Sequence, residues 1–490
     1  MDHFSSIDSR IWLTGAGLLL LSFGYALYQI GRKPTSQVPG PWYTKYTSLV
    51  LKYHLLSGDQ PKYVHRLHNK YGDTVRVAPD EVYVTDLAAV KEIYSVKEVF
   101  RKTKWYTDLT TNESHNMFNT NNIELHRKYR RLLSGPMSET SLKAVLPLVE
   151  SRVNLTIQRM REEMQKTGAA DVFKWWLFMA TDIIGELAFG SSFQTLEQGK
   201  KNEYTKSLEE IAPLSALRSV APSLARLTII PVPLFKRAED ASRRMEGYAR
   251  ESLRRYENLV ATDPTSVKQT LFTNAFRAAE DDNMGFEEIL RNAHTYIVAG
   301  SDTTSNTLTY LVWAVCRHPE VKAALLAELR TLPDGFGDVE LRPLPYLAQV
   351  IEETLRLHTA VPSGLPRAVP PGGAYLSGYW FDAGTTVAAQ AYTLHRDPDV
   401  FPDPERFDPA RWAAPTRAMK DSLMAWGAGS RICIGLHLAR IELRLATARF
   451  FLAFPNAKVA RSMGMTDEEM EPLMYFLSSP SGHRCLIQAE

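Results

Sequence analysis

The sequence predicts a mainly α protein with a minor β-sheet region, preceded by one N-terminal transmembrane helix. Three observations carry that expectation. Most of residues 123–330 reads as helix. Short alternating stretches at 75–85 and hairpin patterns at 372–394 and 473–486 supply a small amount of strand. Ile11 to Ile30 is an uncharged run of twenty residues, long enough to span a bilayer.

In chain order, the apolar run comes first. It is too long for an ordinary signal-peptide core, and no small-x-small cleavage site follows it. Arg32, Lys33, Lys45 and Lys52 lie after it, whereas the first ten residues hold Arg10 against Asp2 and Asp8. The positive-inside rule then places residues 1–10 in the lumen, 11–30 in the membrane and the rest of the chain in the cytosol. Val38-Pro-Gly-Pro-Trp42 stiffens the linker 31–45, because proline fixes its own φ. Residues 46–490 follow as the main body of the chain. Within it, 75–85 reads as two short strands and the Thr- and Asn-rich stretch 101–122 as a loop. Asn283 to Arg317 reads as one long apolar helix, broken in the middle by Ala299-Gly300-Ser301-Asp302-Thr303-Thr304. Turns are expected at Ser377-Gly378, Ala383-Gly384 and Pro480-Ser481-Gly482. The apolar stretch Ala212 to Phe235 reads as a packed connector or as a segment that dips into the membrane beside a substrate entrance.

With 490 residues, 44% of them hydrophobic, a large core is available. Length alone suggests about three domains of ordinary size. The net charge of +2 gives no sign of nucleic-acid binding. Three cysteines, Cys316, Cys433 and Cys485, form neither an even set nor a Cys-x-x-Cys pair, so a disulfide framework is not expected.

Cys433 sits in the run Trp426-Gly-Ala-Gly429-Ser-Arg431-Ile-Cys433-Ile-Gly435 and opens an apolar helix. Gly429 and Gly435 permit close backbone approach. The helix start aims N–H groups at the sulfur, which favours a thiolate. Arg431 supplies a cation suited to a carboxylate. A thiolate is the ligand that pushes electron density onto heme iron. The run resembles the heme-binding signature of the cytochrome P450 family, Phe-x-x-Gly-x-Arg-x-Cys-x-Gly, matching at Gly429, Arg431, Cys433 and Gly435, with Trp426 in place of Phe.

Three further stretches, in the right order, extend that resemblance. Ala299 to Thr304 is similar to the family's oxygen-activation motif, which implies that Thr303 bonds dioxygen and Asp302 relays protons. Glu353-Thr-Leu-Arg356 has the spacing of many solvated helix pairs, with equivalents at Glu98/Arg101, Glu124/Arg127, Glu251/Arg254 and Glu288/Arg291. Position selects it, because it precedes Phe401-Pro-Asp-Pro-Glu-Arg406-Phe407 and Pro409-Ala-Arg411-Trp412. The resemblance implies a buried triad of Glu353, Arg356 and Arg406 that holds the cysteine loop. In the helix around Glu124 to Arg131, His126 and Arg130 stand where the family has Trp-x-x-x-Arg, and imply contacts to heme propionates. Arg367 and His395 match further propionate positions.

The resemblance therefore implies a heme-thiolate monooxygenase that inserts one atom of O2 into a small organic substrate. The single anchor and the His126-Arg127-Lys128-Tyr129-Arg130-Arg131 stretch are similar to fungal members that oxidise secondary metabolites. Relatives that run isomerase or dehydratase reactions typically have a degraded oxygen motif, whereas this one is intact. A non-catalytic membrane heme-binding protein is the other alternative. No Gly-x-Gly-x-x-Gly with a distant acid is present, so electrons are expected from an NADPH–cytochrome reductase at the endoplasmic reticulum membrane. Arg127, Lys128, Arg130, Arg131 and Arg440 could dock its acidic face. The resemblance places the substrate pocket around Met117–Asn122, Tyr296, Ile297, Ala299, Val361–Leu365 and Tyr475–Leu477.

Overall fold

The computed structural model describes residues 21–22, 24–25, 28–29, 31–110, 115–201, 206–207, 217–220, 233–262, 270–273, 276 and 284–489. Most of the expected membrane span at 11–30 and most of the stretch 212–235 lie outside these. Among the described residues, no helix is long and apolar enough to cross a membrane.

A helix of 32 residues, Phe286–Arg317, runs through the core. Glu288 Oε2 accepts the Gly285 N–H at 3.0 Å at its start. It packs on Val172–Phe189, a helix buried on nearly every side, as a helix apolar all round must be. Gly300 permits that approach: a Cβ there would lie 3.0 Å from Ile184 Cγ1. The expected break at Ala299–Thr304 is absent, and the helix is continuous. The hydroxyls and amide that would have opened it instead fold back on the carbonyls one turn earlier: Thr303 Oγ1 onto Ala299 O (2.7 Å), Asn306 Nδ2 onto Asp302 O (2.7 Å) and Thr307 Oγ1 onto Thr303 O (2.8 Å).

The main sheet has five strands, in the order Thr74–Ala78, Glu81–Val84, Thr386–Ala388, Arg367–Ala368 and Arg101–Lys102. The hairpin Ala374–Leu376/Tyr379–Phe381 turns at Ser377 and Gly378, both at positive φ (47° and 85°), as expected. At the C-terminal end the expected strand pairing fails. Pro472–Met474 pairs with Ser478–Pro480, so the hairpin closes at Tyr475 to Leu477. The expected turn at Pro480 to Gly482 is present, with the His483 N–H donating to Pro480 O at 3.1 Å, but it leaves the hairpin rather than closing it. The strand Leu486–Gln488 goes to a separate sheet, beside Ala170–Asp171 and Lys458–Val459. The stretch 101–122, read as a loop, contains the strand Arg101–Lys102 and the short helix Trp105–Leu109.

The proline-bearing segment 34–45 is fastened to the sheet. Buried Arg76 donates to the carbonyls of Val38 (2.6 Å), Thr35 (3.1 Å), Ser36 (3.2 Å) and Pro41 (3.3 Å), and to Thr44 Oγ1 (3.0 Å).

The buried charge cluster forms around Glu353, with a correction to its membership. Arg356 Nε and Nη2 clasp the Glu353 carboxylate at 2.8 Å each. Its third charged partner is Arg411, whose Nε lies 3.1 Å from Glu353 Oε1. Arg406 lends only its backbone carbonyl to Arg356 (3.1 Å), and its side chain is exposed. Residues 409–413 form a 3-10 turn that presents Arg411 and Trp412 to the carboxylate, and Trp412 Nε1 completes the set at 2.9 Å.

Candidate heme site and substrate cavity

Between the long helix and the cysteine loop lies a cavity of about 470 Å³, lined by Cys433, Asp302, Thr303, Arg431, His126, Arg130 and Arg367. Seven of the eight residues singled out from the sequence therefore meet in one space. Gly429, at φ 65°, turns the loop, and a Cβ there would fall 2.0 Å from Tyr94 O, so only glycine fits. The Cys433 amide donates to Trp426 O at 2.9 Å, which closes the loop. The helix Leu436–Ala453 follows directly.

The Cys433 sulfur lies deep in the protein, yet its open surface faces the cavity. Burial pushes its thiol above the usual range. The N–H groups of Gly435 and Leu436 and the nearby Arg130 pull the other way without prevailing. The protein alone therefore does not favour the thiolate, contrary to expectation. A bound metal ion is what would deprotonate this sulfur outright.

The other end of the loop is cationic. Arg431 and Glu98 are an ion pair, each side chain about 5% exposed. The Ser430 hydroxyl also reaches Glu98, at 3.1 Å. Arg367 Nη1 donates to Tyr106 Oη at 2.9 Å, and Arg130 Nη1 to Ile432 O at 2.5 Å. Lys102 points into the same cluster from the strand Arg101–Lys102, and burial drives its pKa far down. His126 is held down to about 3 by burial and by Arg431, Lys102 and Arg130. Among the described residues, Arg431 Nη1 and His126 Nδ1 are buried without a hydrogen-bond partner, and Glu98 Oε2 lies 3.7 Å from His126 Nδ1. One carboxylate thus faces five basic side chains, and two of these have unmet nitrogens. That is the donor set a group with two carboxylates would complete.

His395 is not part of it. Its ring is fully buried elsewhere: Nδ1 bonds Arg356 O (2.7 Å) and Nε2 accepts the Met424 N–H (2.9 Å). With both nitrogens taken by backbone, it cannot reach a propionate. It pins the approach to the cysteine loop to the helix that carries Arg356.

The family model described as Cytochrome P450 matches residues 38–484. The chain belongs to the cytochrome P450 family. It is 46% identical to the cytochrome P450 monooxygenase tazI of Aspergillus terreus over 96% of this chain and 97% of that protein. Identity is 42% with the monooxygenase orf2 of Aspergillus niger, over 98% of each chain, and 33% with aflV of Aspergillus parasiticus, over 93% and 91%. Its activity is accordingly that of an oxygen-incorporating oxidoreductase, and its cofactor is the heme of this heme-thiolate family. The unmet donors and the cavity-facing sulfur fit that group.

Three residues of this P450 site escaped the sequence reading. Glu98 stood among the discounted i,i+3 pairs, yet it is the partner of Arg431. Nothing in the local pattern marked Lys102. Glu442, on the helix after Cys433, is fully buried against the Thr304 hydroxyl, and burial raises its pKa to about 8. The expected pocket lining holds for Met117, Tyr296, Ala299, Val361 and Tyr475–Leu477. Ile297 instead faces the core, and Asn119 and Thr120 are buried away from the cavity. Of the expected docking charges, Arg127 is exposed beside Glu124 (2.7 Å), Lys128 reaches Glu288 (3.4 Å) and Arg440 bonds Glu352 (2.7 Å).

Proposed function

We propose that Cys433 would ligate the heme iron and that Arg431, His126, Arg130, Arg367 and Lys102 would hold its propionates. The observation that carries this reading is the shared cavity, with one sulfur on one side and an under-neutralised cationic cluster on the other. When bound, the heme supplies reductive activation of O2, so that one oxygen atom enters the substrate and the other leaves as water.

The chain's own residues do the rest. Thr303 lines the cavity, its hydroxyl held on Ala299 O at 2.7 Å, and would present a proton at Oγ1 on that wall. Asp302, on the same wall, would relay protons to that hydroxyl. The apolar walls position the substrate and exclude water. Thr303→Ala should lower product formed per NADPH consumed, and an unchanged ratio would sink the relay assignment. For the heme, the decisive measurement is the carbon monoxide difference spectrum of dithionite-reduced wild type and Cys433→Ala. A red-shifted thiolate band lost in the variant supports the reading. A band indifferent to the change refutes it.

The finer assignment is an oxidative tailoring step in fungal secondary metabolism, supported by the fungal monooxygenases to which the chain is similar. Residues 11–30 anchor the enzyme to the endoplasmic reticulum membrane, with the catalytic part in the cytosol, and an NADPH–cytochrome reductase delivers electrons. The large exposed side chains Trp42, Tyr46, Leu49, Tyr53 and Leu56 gather just after that segment, as a membrane-facing surface would. Flotation of the full chain and of a form lacking residues 1–30 with liposomes tests this. Equal partition of both forms into the aqueous phase would refute the anchor.

A further inference from the structure

The cavity has a second polar end, away from the sulfur. Along the helix Phe286–Arg317, positions 291, 294, 295, 298 and 302 follow the spacing of one face, and all five line the cavity. The Thr295 hydroxyl donates to Arg291 O at 2.9 Å, so its hydrogen-bonding proton is already placed. The two residues beside it are different. Arg291 Nε and His294 Nε2 are both buried with no hydrogen-bond partner among the described residues. Tyr129, itself hydrogen-bonded to Glu288 at 2.9 Å, also bonds the Arg291 side chain and steadies it. Glu246 lines the same end, but its carboxylate is engaged by Arg250 at 3.0 Å.

A buried polar nitrogen left unmet is costly, so an orphan pair on a ligand cavity marks where a ligand atom belongs. Arg291 can only donate. Burial keeps the His294 ring neutral, so one of its nitrogens is also able to donate. The complementary group is an oxygen acceptor. Another part of the wall is aromatic: Trp105, Phe118 and Phe476 meet with centroids 5.7 Å apart, and Tyr106 packs on Phe118 at 5.6 Å. Such faces suit a flat, apolar ligand body. The helix rises about 1.5 Å per residue, so His294 lies roughly 8–14 Å along the axis from the Ala299–Thr303 turn.

We propose that Arg291 and His294 form an acceptor-oxygen subsite of the substrate cavity. The substrate class is then an aromatic-bearing, largely apolar molecule whose carbonyl or carboxylate oxygen lies roughly 8–14 Å from the carbon to be oxidised. This rests on reading the cavity as the substrate chamber of the heme. The carbon monoxide spectrum tests that reading separately, and each variant below is first required to give the wild-type band.

The experiment titrates the full-length holoenzyme with a graded series of ω-phenylalkanoic acids, each beside its methyl ester and its parent phenylalkane, and follows the heme spin-state difference spectrum. At the matching chain length the oxygen-bearing ligands should bind about tenfold to a hundredfold tighter than the hydrocarbon. An acid that exceeds its ester identifies an anionic oxygen, and equal binding identifies a neutral carbonyl. Either outcome upholds the subsite. Arg291→Leu and, independently, His294→Phe should each shrink the gap severalfold, while Arg291→Lys should keep part of it. Hydrocarbon binding as tight as the acid in wild type overturns the proposal. So does a gap untouched by both substitutions, or no binding by any acid or ester of the series.

Discussion

Two buried polar regions of this enzyme look alike in composition and differ in how completely they are bonded. Around Glu353, every strong group is matched. Its two oxygens accept from Arg356, Arg411, Trp412 and the Asp408 amide, and Arg356 donates onward to the carbonyls of His395, Pro404 and Arg406. Around the cavity, Arg431 Nη1, His126 Nδ1, Arg291 Nε and His294 Nε2 are equally buried and unmatched. A closed network has no bond left for a ligand and acts as scaffold. An open one keeps its capacity for something that arrives later. The two lie close in sequence and space, since His395 joins the scaffold to Met424, at the approach to the cysteine loop.

The most forceful way to break this contrast is Glu353→Ala. It strands two guanidinium groups and an indole N–H in a largely buried site, and should cost about 3–5 kcal/mol. Thermal melting of the holoenzyme should show a large drop, accompanied by loss of the thiolate band as the loop slackens. A melting temperature within a degree or two of wild type would mean the network is not the scaffold. Cys433→Ala should do the converse. Heme binding fails while the melting temperature of the protein changes little relative to heme-free wild type, because the side chain removed is small and faces open space.

Much of this was legible in advance. Gly429, Arg431, Cys433, Asp302 and Thr303 lie in short contiguous motifs, where the chemistry fixes both residue type and spacing. The long helix and the strands at 74–84 followed from periodicity. What the sequence hid were partnerships across distance. Glu98 and Arg431 are 333 positions apart, and an acid three residues from a basic one looks the same whether its true partner is local or remote. The resemblance placed the second arginine of the triad at Arg406, but the 3-10 turn at Pro409–Ala413 brings Arg411 to the carboxylate instead. His395 was assigned from position alone, and only the two backbone contacts of its ring reveal a different duty. The turn signal at Pro480 is met, but local turn chemistry does not say which strands pair, and the hairpin closes earlier, at Tyr475 to Leu477.

A subtler test of the open region is pH. Burial lifts Glu442 to about 8, so the folded chain holds this proton more tightly than the unfolded chain does. Stability should therefore fall as pH rises from the ordinary glutamate range toward about 8 and level off above it. Glu442→Gln keeps the hydrogen bond to Thr304 without the titration. Melting curves at pH 6 and pH 8 should converge in the variant relative to wild type. An identical pH dependence in both proteins would show that Glu442 is already ionised or finds another partner.

The smallest expected effect is also the sharpest discriminator between the two arginines near Glu353. Arg406 touches the network only through its carbonyl, which any residue supplies, and its side chain is exposed. Arg406→Ala should stay within about 0.5 kcal/mol of wild type, as surface changes do. Arg411→Ala removes a guanidinium whose side chain is 8% exposed and leaves Glu353 Oε1 one donor short. It should cost about 1–3 kcal/mol. If melting ranks the two the other way, the triad closes through Arg406 after all, and the 3-10 turn is not what presents the third cation.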